Sequence, residues 1–197
     1  MTTTTRRSIG AVETAKLVRR ALKDAFPGQK FSVRTDQYAG GASVRVRYTD
    51  GPAERRVKAV AGQFAGGGFD GMIDLAYSVE HWLRPDGRVM LAHSPGTEGS
   101  RGSVPEIDNR DLAPVIPDDA ELVHFGANFI FVDRDITDRA DKAAEAEAWL
   151  RQNFHIDKGT TTQHDRLGNY WVGDLANGLA HEREFGEDWQ TAWDRRY

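Results

Sequence analysis

Apolar residues recur at helical spacing through VETAKLVRRALKDAFPG, where Ala15, Val18, Leu22 and Phe26 form one stripe and Lys16, Arg19, Arg20 and Lys23 occupy the other side. Thr14 is the expected N-cap, and Pro27-Gly28 stops the helix. The period then falls to two. In KFSVRTDQYAGGASVRVRYTDGP, Phe31 and Val33 point one way and Ser32 and Arg34 the other, while Val44, Val46 and Tyr48 oppose Ser43, Arg45 and Arg47. This is the pattern of a hairpin whose apolar face packs on helices. Alternation then forces Arg34, Arg45 and Arg47 onto the opposite face together. After Pro52 the helical period returns with Val57, Val60, Ala61 and Phe64, and Gly66-Gly67-Gly68 lies beyond its end. Residues 12–75 thus predict a basic α-β-β-α unit, with Phe69, Met72, Ile73 and Leu75 of FDGMIDL docking into the core.

Residues 76–136 change character. SVEHWLRPDGRVMLAH is a second hairpin turning at Pro85-Asp86-Gly87. A Gly-, Pro-, Ser- and Asp-rich stretch, residues 94–119, then reads as a long surface loop. ANFIFV, apolar on both faces, predicts a buried central strand. From Thr137 or Asp138, either of which can cap it, an Ala-rich helix runs through RADKAAEAEAWLRQNF with Ala143, Ala146, Trp149 and Leu150 inward. Two short helices broken near Gly186 complete residues 137–197. The 197 residues suffice for one well-filled domain. The expected architecture is a single α+β domain: an antiparallel sheet carrying the N-terminal unit on one side, a long surface loop and C-terminal helices.

Charge sharpens this picture. The net charge of −4 conceals a basic segment, residues 1–60, at +8, with 13 Lys and Arg against five acids, and a remainder at −12. A basic binding module joined to an acidic body has this distribution, and so do two halves that neutralise each other within the fold. The binding reading places Lys30, Arg34, Arg45 and Arg47 against an anionic polymer, DNA or RNA. Cysteine is absent, which removes disulfides and thiolate metal sites and fits a reducing cytoplasm. No apolar run approaches the roughly 20 residues that span a bilayer, and the N-terminus has no signal-peptide core, so a soluble cytoplasmic protein without a membrane partner is expected.

Catalytic motifs are missing: there is no GxSxG, no HExxH and no calcium loop. No cofactor is expected. The nearest approach to a metal set is His155, Asp157 and His164 in HIDKGTTTQHD, whose separation fits no standard short zinc motif. His81, His93 and His124 fall on expected strands and could meet in space, and Asp70 and Asp74 suit turn and capping roles. Trp171, Phe185, Trp189 and Trp193 are either packing residues or a partner-binding stripe on the acidic C-terminal part.

TAKLVRRALKDAFPGQKFSVRT, GGASVRVRYTDGP and FDGMIDL resemble the large polyvalent-protein-associated domain number 29, and the likeness continues through HWLRPDGRV and VHFGANFIFVDRDI, covering roughly residues 12 to 136. The resemblance implies an accessory module of phage and conjugative-element proteins, with no agreed catalytic residues to carry over. Together with the charge pattern it favours a non-enzymatic accessory protein of a mobile genetic element that binds nucleic acid. An interaction or counter-defence protein that grips a host protein through the aromatic C-terminal part is the alternative, and a metal-dependent hydrolase is third.

Overall fold

The computed structural model describes residues 6–98, 104–112, 115–156, 162–165, 168–184 and 186–196, the backbone alone at 162–165, 168–170 and Arg196. The chain folds as α+β. Strand β1 (Arg7–Ile9) leads into α1 (Ala11–Ala25), the hairpin β2 (Ser32–Tyr38) and β3 (Gly41–Thr49), then α2 (Glu54–Ala61) and a 3₁₀ turn (Gly62–Phe64). Six strands follow: β4 (Gly67–Asp70), β5 (Leu75–Ser78), β6 (Glu80–Leu83), β7 (Val89–Ser94), β8 (Ile107–Asp108) and β9 (Glu121–Phe125). The remainder comprises β10 (Phe129–Asp135), α3 (Arg139–Asn153), the pair β11 (Thr162–Asp165) and β12 (Gly168–Trp171), α4 (Val172–Glu182) and α5 (Trp189–Arg196). Two compact units emerge. One takes residues up to Arg47 together with Lys58–Asp133, the other Tyr48–Val57 together with the chain from Arg134.

The first unit holds a five-stranded sheet in the order β1-β9-β6-β7-β8, with β1 parallel to β9 and the other pairs antiparallel. A second sheet has the order β10-β3-β2. Helix α1 lies against β2 and buries Thr14, Ala15, Val18 and Leu22; removing Val18 and Leu22 from water stabilises by about 2 kcal/mol each. The helix starts three residues before Thr14. Gly10 takes the cap position, and Thr14 sits in the first turn with its hydroxyl returned to the Gly10 carbonyl at 3.0 Å. Phe26 caps the other end through its backbone N–H to Leu22 and meets Phe31 ring to ring at 6.0 Å.

Two further expectations are corrected. Phe69, Met72, Ile73 and Leu75 are exposed, with Phe69 at 53%, because FDGMIDL forms the β4–β5 hairpin, whose inward group is Asp70. That carboxylate accepts hydrogen bonds from the Thr97 hydroxyl and from the Met72 N–H, 2.9 Å away, and they hold its pKa below the usual range. Nor is β10 a buried central strand: it lies at a sheet edge, and Phe131 is exposed beneath the Arg45 guanidinium.

The triple glycine has a structural reason. The backbone of Gly66 and Gly67 passes against the β9–β10 connection, donating to the carbonyls of Ala127 and Asn128 at 2.8 and 3.0 Å. A Cβ on Gly66 would stand 1.7 Å from the Phe125 carbonyl oxygen. Only glycine allows that approach.

In the second unit α3 packs on α4, and the small residues Ala146, Ala176, Ala180 and Ala192 interleave with Leu150, Leu175 and Leu179. Trp149, Trp189 and Trp193 cover this core from the side. Arg134 organises the unit's discontinuous parts. Its guanidinium donates to four backbone carbonyls, those of Asp50, Gly51, His181 and Arg183, at 2.5–3.2 Å, and burial lowers its pKa. Two of these oxygens belong to the C-terminal end of α4, where the helix leaves carbonyls unpaired and favours a cation.

Candidate functional site

Cross-strand register decides where the arginines point. Ser32 lies opposite Arg47, Arg34 opposite Arg45 and Asp36 opposite Ser43, while Val33 opposes Val46 and Thr35 opposes Val44 on the other face. Val33, Val44 and Val46 are buried, so the hairpin turns its apolar side inward and its arginines outward. Ser32, Arg34, Asp36, Arg45 and Arg47 line a shallow open depression of about 290 Å³. Lys30 is exposed just before β2 and does not line it.

Strand β10 supplies what periodicity alone did not suggest. Asp133 receives Arg45 Nη1 at 3.1 Å and Arg47 Nε at 3.4 Å, both on Oδ2, and Arg45 Nε also stands 3.6 Å from Asp36. Arg45 lies over the Phe131 ring, its Cζ 5.3 Å from the centroid. One carboxylate oxygen therefore serves two guanidinium groups. Arg47 keeps 62% of its side chain in solvent. Among the described residues Arg34 has no carboxylate partner, although it faces Arg45 directly across the ladder. Like charges in that position disfavour the pairing, and exposed monodentate ion pairs compensate weakly. The face is electrostatically unfinished, with three cations against two anions around one depression.

Much of the remaining basic segment is neutralised internally. In the first unit Arg6 pairs with Glu80 at 3.0 Å and Arg7 with Glu121 at 2.9 Å, while Arg19 donates to the Val33 carbonyl. In the second, Arg55 pairs with Glu182 and Arg56 with Glu184 at 3.1 and 2.8 Å. Among the described residues Lys16 and Lys23 on α1 have no carboxylate partner either, so the uncompensated part of the +8 is shared between α1 and the β2–β3 face.

The other sequence candidates are scattered. Trp189 stacks on the Arg183 guanidinium at 4.2 Å, and Trp193 packs against Phe154 at 4.7 Å. Trp171 is exposed, and Phe185 lies outside the described residues. His155 is exposed, Asp157 lies outside the described residues, and His164 is described by its β11 backbone alone. His81 and His124 come close enough for the charge of one to act on the other, with His81 buried against Phe125 at 5.1 Å. Among the described residues no helix is long and apolar enough to cross a membrane.

The family model for large polyvalent protein associated domain 29 matches residues 9–137. The chain belongs to this family. No curated protein and no solved structure matches it. The span of this polyvalent-protein-associated domain runs from Ile9 in β1 to just beyond β10, so Arg34, Arg45, Arg47, Asp36 and Asp133 all fall inside it. Helices α3, α4 and α5 follow it.

Proposed function

We propose that this polyvalent-protein-associated domain is a non-enzymatic accessory protein of a mobile genetic element, working in the host cytoplasm, that binds the phosphate backbone of nucleic acid through Arg34, Arg45 and Arg47, with Lys30 at the rim. The observation that carries the reading is the direct Arg34–Arg45 pairing across the hairpin, beside a depression with more cations than anions. A phosphate there relieves the like-charge contact and accepts the guanidinium N–H groups, which suit phosphate geometry. Nothing lining the depression reads base edges in a defined pattern, so contacts to the backbone rather than to sequence are expected.

Fluorescence anisotropy with labelled duplex and single-stranded oligonucleotides, measured over a salt series, tests this. The native protein should bind at low salt with affinity falling steeply as salt rises, and changing all three arginines to Ser should abolish binding while leaving the fold intact. Asp133→Asn should tighten binding by releasing Arg47 and leaving Arg45 with Asp36 alone. Absence of binding at low salt, or equal binding by the triple variant, refutes the proposal.

A further inference from the structure

A second cluster lies on the five-stranded sheet, away from the arginines. His93 on β7 is directly opposite Asp108 on β8, and the chain entering β8 carries Glu106. One imidazole nitrogen and two carboxylate oxygens fall within 4.8 Å of one another. His93 Nδ1 is 3.8 Å from Glu106 Oε1 and 3.9 Å from Asp108 Oδ2, too far for hydrogen bonds. That nitrogen is also buried without a hydrogen-bond partner. Ligands about 2.1 Å from a tetrahedral zinc ion stand about 3.4 Å apart, so each His93–carboxylate separation would close by about half an ångström around a cation, with the two carboxylates drawn in from within 4.8 Å of each other.

The surroundings suit such an ion. Arg110 donates its backbone N–H and its Nε to Asp108 Oδ1 at 3.0 and 2.9 Å and pairs through Nη2 with Oδ2. These bonds fix the orientation of the Asp108 carboxylate from outside, and an ion on Oδ2 would share that oxygen with Arg110. Glu80 on β6 lies opposite His93 on its other side and adds negative potential, partly offset by Arg6. Since β8 has two residues, an ion here would also staple a short edge strand to β7.

We propose that His93, Glu106 and Asp108 form a binding site for a divalent transition-metal ion of the zinc class, with water completing its coordination. The imidazole selects zinc over magnesium and calcium, which prefer oxygen-only shells. The competing explanation is a metal-free cluster of the His93 ring and two carboxylates.

Calorimetric titration of tag-free apoprotein with zinc chloride at neutral pH separates the two. One ion per chain with micromolar affinity is expected, unaffected by excess magnesium. Cobalt should give visible absorption characteristic of nitrogen and oxygen ligands, free of thiolate bands because the chain has no cysteine. His93→Gln and Glu106→Gln should each weaken zinc binding at least tenfold. The Glu106 variant guards against misfolding, since that side chain is 61% exposed. A double His155→Ala/His164→Ala variant should bind as the native chain does. No stoichiometric binding, or undiminished binding by Glu106→Gln in a folded protein, overturns the site.

Discussion

His81 is the residue whose burial has the clearest thermodynamic consequence. Its side chain is enclosed beside Phe125, its Nδ1 has no partner, and burial, reinforced by His124, lowers its pKa to about 4. The folded protein therefore holds a neutral imidazole where the unfolded chain takes up a proton near its ordinary value of about 6.5. Because the folded pKa is the lower one, the unfolded state binds more protons between pH 6.5 and 4. The stability associated with His81 is complete above that window and is lost as pH falls through it, by about 3 kcal/mol in all. Urea unfolding at pH 7 and pH 4.5 checks this: the native chain should lose more stability between the two than His81→Leu, and equal losses would show that the ring is solvated. At the same scale, Arg45 differs from Arg34 in having Phe131 beneath it and Asp133 beside it, so Arg45→Ser alone should disturb the arginine face more than Arg34→Ser.

At the scale of elements, the glycine-lined passage beside the β9–β10 connection fixes where the β4–β5 hairpin leaves the body of the first unit. Gly66→Ala forces a methyl group into the Phe125 carbonyl, and the cost should be on the order of 3 kcal/mol, or roughly 10 °C in thermal midpoint. Gly62→Ala, with nothing within 4 Å of its added Cβ, is the control and should be neutral or mildly stabilising. Periodicity made α1, the β2–β3 hairpin, α2 and the β6–β7 hairpin legible because each buries apolar residues at regular spacing, and the arginine alternation followed from the same pattern. It failed where partners are distant. The β1 strand is three residues whose only evidence is its parallel pairing with β9, more than a hundred residues on. Asp133 was hidden in a strand that looks apolar on both sides because an arginine guanidinium, rather than a helix, lies over Phe131. The His93, Glu106 and Asp108 grouping depends on a β7–β8 register spanning a loop, which no local motif encodes.

At the scale of the whole molecule, the family span and the compact units do not coincide. Tyr48–Val57 lies inside residues 9–137 yet belongs to the unit completed by the chain from Arg134 onward. Within that unit Asp50 accepts from Lys142 and the Thr137 N–H, Glu54 faces His181 at 3.2 Å, and Arg55 and Arg56 reach Glu182 and Glu184. A fragment ending at residue 137 should accordingly lose amide hydrogen-exchange protection across residues 48–57 while β6, β7 and β9 retain theirs. Unchanged protection at 48–57 would show that this segment does not depend on the helices. Arg134 has a further consequence for how such a chain tolerates variation. It grips carbonyl oxygens rather than side chains, and every residue type supplies a carbonyl, so its partners at 50, 51, 181 and 183 are free of any demand from it. Lysine has no planar fork to span four oxygens. Mutational drift can therefore rewrite positions 181 and 183 as far as this clasp is concerned, while Asp50 and Gly51 stay constrained by their positive φ of 54° and 70° and the arginine at the centre has no substitute.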